Sequence, residues 1–169
     1  MKGYIQVYTG DGKGKTTAAI GLAVRAACAG LKVFVGQFLK GMESSEVKIR
    51  EFLPIEIVLY GNGKFVRDPA DPEHKRLARE GLRDAKERLS SGKYDLVVLD
   101  EFNVAIHLGL LSREEVEDLL DSKPEHVELV ITGRYAPDWL IERADLVTEM
   151  REVKHYFQRG VTARRGIEY

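Results

Sequence analysis

The stretch VYTGDGKGKTTAAIG, Val7–Gly21, decides the fold. A short β-rich run, Tyr4–Tyr8, leads into it, and a helix-favouring run, Thr16–Ala29, leads out. Between them Gly10, Asp11, Gly12, Lys13 and Gly14 precede Lys15, Thr16 and Thr17. The three glycines let the backbone take positive φ and turn its N–H groups inward. With the positive end of the following helix, those groups form an anion cradle. Lys15 brings a point charge to phosphates, and Thr16 a hydroxyl where Mg²⁺ would sit. The spacing departs from the usual G-x-x-x-x-G-K-[ST] pattern. Its first glycine would fall at Thr9, whereas the glycine is Gly10, so the loop is one residue short.

Outward from the loop, strand and helix signals alternate. Thr16–Ala29 is apolar nearly all round, which predicts a buried helix with Cys28 in the core, ended by Gly30. LKVFVGQF (Leu31–Phe38) and IEIVLYG (Ile55–Gly61) read as strands two and three. Asp71 and Pro72 supply an N-cap and an N1 proline to a helix whose stripe is Ala78, Leu82, Ala85 and Leu89. YDLVVLDE (Tyr94–Glu101) is a continuous apolar run, the mark of a strand buried on both faces. Ser112 and Glu115 form a capping box before a further helix. VELVITGR (Val127–Arg134) is a fifth strand, Pro137–Arg143 a short helix, and DLVTEMREV (Asp145–Val153) a sixth strand. Lys154–Tyr169 reads as loop with a terminal hairpin. The expected fold is α/β, a mostly parallel sheet flanked by helices, in one domain spanning residues 1–169.

Ligands in such folds bind at the carboxyl ends of the strands. That edge gathers Thr9–Thr17, Gln37-Phe38, Asp100-Glu101 and Thr132-Gly133-Arg134. Asp100 or Glu101, closing a central strand, would hold Mg²⁺ directly or through water; spacing does not choose between them. Arg134 is placed either to clamp phosphates or to pair at the surface. Arg25, alone among alanines, calls for an anionic ligand or a carboxylate or carbonyl of the protein. Gln37 either orients a ligand or faces solvent.

Composition excludes other classes. With 26 basic and 27 acidic residues and a net charge of -1, nothing argues for nucleic acid. No apolar run approaches the ~20 residues of a membrane span, and MKGYIQVYTG has no signal-peptide anatomy. A single cysteine, Cys28, forbids an internal disulfide and suits a reducing cytoplasm. His74, His107, His126 and His155 lack metal-ligand spacing. The residues alone thus reach a domain that binds Mg–nucleoside triphosphate.

The chain also resembles the P-loop ATP:corrinoid adenosyltransferases, whose nucleotide-binding fold is RecA-like. TGDGKGKTT, VVLDE, VITGRYAPDWLIERADLVTEM, VKHYFQRGV and the closing ARRGIEY carry the resemblance over about 3–169. It implies that the shortened loop holds the triphosphate of ATP in the reverse sense, presenting the ribose 5′-carbon to a cobalt(I) corrinoid, with triphosphate released. It implies a nucleotide site of Gly10, Asp11, Gly12, Lys13, Gly14, Lys15, Thr16, Thr17 and Arg25. It further implies Mg²⁺ at Thr16 and Glu101, a flavoprotein reductant and a homodimer. Lys15, Thr16 and Glu101 would carry the chemistry. Two departures stand out. Where the family has Gly-Phe-x-Trp facing the corrinoid, this chain has Phe65 and then Val66 before Arg67, and where some members carry a basic N-terminal extension, the sequence begins almost at strand one, so a lid is expected from elsewhere. Competing readings are a P-loop ATPase or small-molecule kinase, and an ATP-gated corrinoid-binding module without chemistry.

Overall fold

The computed structural model of the chain describes residues 2–40, 44–63 and 71–169. Six strands, β1 (Ile5–Thr9), β2 (Val33–Phe38), β3 (Ile55–Tyr60), β4 (Leu96–Asp100), β5 (Glu128–Thr132) and β6 (Leu146–Glu149), form one sheet in the order β3-β2-β4-β5-β1-β6. Every pairing is parallel. Strand side chains alternate between faces, so the sheet divides the apolar residues into two cores. Phe34, Phe38, Val97, Leu99, Leu129 and Ile131 face one core. Val33, Val35, Leu96, Val98 and Val130 face the other.

The first core is covered by α2 (Pro72–Ser90), α3 (Phe102–His107), α4 (Arg113–Asp121) and α5 (Asp138–Arg143). The second is covered by α1 (Lys15–Cys28) and a 3₁₀ turn over Ser45–Glu51. The Asp71 cap and the Ser112–Glu115 capping box form as expected. α3 was not foreseen; it follows β4 after Glu101 takes a left-handed φ of 58°.

Three expectations change. α1 is buried on one face only, through Ala19, Ala23, Ala26 and Ala27, while Ile20, Leu22 and Val24 are half-buried and Cys28 is exposed. Alanine-rich apolarity arises here because the backbone of α1 sits close to the sheet, not because the helix is enclosed. The sixth strand is four residues long. The tail forms no hairpin: it makes a 3₁₀ turn at Tyr156–Arg159 and a further turn closed by Glu168 N–H to Arg164 O.

Gly81 shows how tightly α2 meets β3. A Cβ there would lie 2.6 Å from the Tyr60 ring. Gly21 on α1 has nothing within 4 Å of the same position. Gly→Ala in a helix ordinarily stabilises by about 0.5–1 kcal/mol. We therefore expect Gly21→Ala to stabilise by about that amount, and Gly81→Ala to destabilise by about 1–3 kcal/mol through overpacking. Urea denaturation of the two variants, compared with the parent chain, measures both signs.

Candidate active site

The four segments expected at the carboxyl edge do meet there, and Asp100 is where they join. Its carboxylate is fully buried. Oδ1 accepts from the Thr16 hydroxyl at 2.8 Å and the Thr132 hydroxyl at 2.6 Å. Oδ2 accepts from Gln37 Nε2 at 3.0 Å and from Lys40 Nζ at 2.9 Å. Strand register brings this about. Gln37 lies opposite Asp100 across β2 and β4. β5, inserted between β1 and β4, carries Thr132 into the gap. Burial pushes the Asp100 carboxyl up, but the Lys40 ammonium and the hydrogen bonds from Thr132, Lys40 and Thr16 outweigh it and hold the group below its ordinary value.

Glu101 lies beside this junction. Its N–H donates to Thr132 Oγ1 at 3.1 Å, so a chain of hydrogen bonds runs from Glu101 through Thr132 to Asp100. Burial, and then the Asp100 charge, push the Glu101 carboxyl above its ordinary value. Lys15 is buried and donates to Gly12 O at 2.6 Å. Burial, and then the positive charge of Arg134, lower its pKa.

The glycine loop is shaped by two different constraints. Gly14, the residue before α1, has a φ of 118° and needs the left-handed region. Gly12 does not. It is required by close approach: a Cβ would lie 2.7 Å from Met150 O, and its N–H donates to that oxygen at 2.7 Å. The exit of β6 thus forms one wall of the loop.

The remaining expected residues are spread around this centre. Arg134 is exposed and reaches Asp11 O at 3.4 Å. Lys13 is exposed and turns to the tail, donating to Ile167 O at 3.0 Å and lying 3.8 Å from Glu168. Thr17 and Arg25 are exposed on α1, and the Arg25 charge is felt at the Tyr8 hydroxyl. Phe65 lies outside the described residues. Two residues were not singled out from the sequence. Lys40 follows the apolar run of β2 as an ordinary exit lysine would. Asn103, fully buried, donates from Nδ2 to Gly133 O at 2.9 Å and secures the turn after β5.

Hard oxygen donors at Thr16, Asp100 and Glu101 suit a small divalent cation. Among the described residues no three His, Cys, Asp or Glu cluster into a metal cage. Such a donor set fits a cation that arrives with phosphates and keeps its waters. No helix is long and apolar enough to cross a membrane.

Residues 1–169 match the family described as ATP:corrinoid adenosyltransferase BtuR/CobO/CobP. The corrinoid adenosyltransferase of Escherichia coli K12 is 41% identical over 170 residues, covering 99% of this chain and 86% of that protein. The corrinoid adenosyltransferase CobA of Salmonella typhimurium is 38% identical, with 99% and 86% covered. That of Pseudomonas aeruginosa is 37% identical, with 99% and 84% covered. On a match spanning its whole length and on relatives near two-fifths identity, the chain belongs to the ATP:corrinoid adenosyltransferase family.

Proposed function

We infer that the chain transfers the 5′-deoxyadenosyl group of ATP to the cobalt of a reduced corrinoid and releases inorganic triphosphate. Adenosyl transfer from ATP to a corrinoid follows from membership of the family. The finer mechanism is our reading of the site. The electron pair of cobalt(I) attacks C5′ and becomes the cobalt–carbon bond, while the C5′–O bond breaks and triphosphate leaves with the electrons of that broken bond. No proton moves in this step, so no general base is required. The protein must instead align the reacting atoms and neutralise a polyanionic leaving group.

The contracted loop Gly10–Thr17 is the observation that carries this reading. Shortening by one residue shifts the phosphates relative to the edge, favouring a nucleotide held with its terminal phosphate deep and C5′ outward. Lys15, the loop N–H groups and Arg134 would bind the triphosphate, with Arg25 on the nucleotide side. Lys13, engaged with the tail, would tie the tail to the loop beside the phosphates. Mg²⁺, held through Thr16 and Glu101 with Asp100 behind them, would add positive charge to the leaving group. Phe65 would lie toward the corrinoid. A homodimer, a flavoprotein reductant supplying cobalt(I), and a cytoplasmic setting complete the proposal.

Incubation with ATP, Mg²⁺ and chemically reduced corrinoid should yield a light-sensitive adenosyl–cobalt product and triphosphate in equal amounts. ADP and phosphate as the sole products would identify a phosphoryl-transfer enzyme instead. Tight corrinoid binding modulated by ATP, without turnover, would identify a binding module.

The Asp100 junction generates a pH prediction. Asp100→Asn removes a buried, ion-paired carboxylate and should cost about 3–5 kcal/mol at neutral pH. A group whose folded pKa is depressed stabilises above its unfolded value and loses that contribution as pH falls through the folded value. The gap between the parent chain and Asp100→Asn should therefore narrow as pH drops below about 4. Urea titrations at neutral and acid pH measure it.

A further inference from the structure

We propose that Lys40 is the resident counter-ion of Asp100, a positioning residue that gives up this place to the divalent cation arriving with the nucleotide. The inference rests on the reading that magnesium accompanies ATP.

The placement of Lys40 is built into the backbone. Leu39 before it takes a left-handed φ of 61°, a conformation costly for a leucine, and its N–H is held by Tyr60 O at 3.3 Å. Lys40's own backbone packs on Gly61, where a Cβ would lie 2.6 Å from Lys40 O. A strained turn and a bare glycine together aim this one side chain back over the edge of the sheet. There the ammonium meets Asp100 at 2.9 Å and Glu46 of the 3₁₀ turn at 3.3 Å. Glu101 is the other carboxylate that acts on it.

The environment of Lys40 suits an exchange. Asp100 is buried, so its charge demands a cation at all times. Lys40 keeps 27% of its side chain exposed, and its long stem can swing without moving the backbone. Glu46, on the outer side, is ready to receive it. Gln37 supplies the second observation. Its Nε2 is shared between Asp100 and Glu46, while its Oε1 is buried without a hydrogen-bond partner. An orphan acceptor on the same amide that binds Asp100 Oδ2 is what a water of a hydrated cation would satisfy. A divalent cation near Thr16, Asp100 and Glu101 repels the ammonium, and Lys40 transfers to Glu46. Cation arrival is thereby relayed to the Ser45–Glu51 turn.

The test is the magnesium dependence of ATP binding, taken as the ratio of calorimetric Kd values in EDTA and in excess Mg²⁺. In Lys40→Met no ammonium competes, so the ratio should rise by roughly threefold to tenfold, the scale of a partly exposed ion pair. Lys40→Arg, which keeps the charge, should stay close to the parent ratio. A purely structural lysine predicts the opposite: loss of Asp100's partner would disorder the junction and lower the ratio. An unchanged or lowered ratio in Lys40→Met overturns the proposal. If that variant fails to fold, Lys40→Gln, which can still donate to Asp100, carries the same expectation. A parent chain whose ATP affinity ignores Mg²⁺ would overturn both this exchange and the magnesium part of the proposed function. A clear parent dependence with no rise in the variant would overturn the exchange alone.

Discussion

A single buried carboxylate organises the carboxyl edge of this sheet. Asp100 draws donors from α1, β5, the end of β2 and the residue two beyond β2. Removing a charge from water costs several kcal/mol unless hydrogen bonds and a counter-charge replace the solvent. Here two hydroxyls, an amide and an ammonium replace it. Because the donors come from three segments, α1, β5 and the end of β2 with its exit, satisfying Asp100 sets the relative positions of those segments. The start of α1 after the glycine loop, the acidic strand and the β5 turn are held in place by one polar requirement.

The groups around that centre carry opposing tensions. Burial lowers the Lys15 pKa and raises that of Glu101, so each is pushed toward neutrality. A polyanion beside Lys15 and a cation beside Glu101 would relieve both at once. The loop is correspondingly firm. Its Gly12 N–H is committed to Met150 O, and Met150 N–H to Thr9 O, so β6 braces the cradle from outside. An anion arriving there would meet a loop whose backbone is already positioned, which favours alignment over rearrangement.

Much of this was legible in the residues. Apolar or β-rich runs marked the strands, the sixth drawn longer than the four residues it has, and glycine, lysine and threonine spacing marked the loop before α1. Asp71, Ser112 and Glu115 announced their caps by local chemistry alone. What remained hidden depends on neighbours distant in the chain. No local pattern says that β5 enters between β1 and β4, so Thr132 could be placed at the edge but not joined to Asp100. Lys40 resembles any lysine following a strand until Leu39 and Gly61 are seen to steer it. The apolarity of α1 suggested enclosure, because small residues needed for close approach and large residues needed for burial look alike in a hydropathy pattern. Gly12 looked like a left-handed position, though a neighbouring carbonyl is what forbids its side chain.

The position of β1 has a consequence for how the chain acquires its shape. β1 pairs with β5 and β6, whose residues lie more than a hundred positions downstream. β2, β3 and β4 pair among themselves over shorter separations. Long-range pairings pay their loop-closure entropy before contacts reward it, and they form late. During synthesis the first strand to emerge therefore waits unpaired while the middle of the sheet assembles. The glycine turn is braced by Met150, so it gains its last backbone contacts only when the final strand arrives.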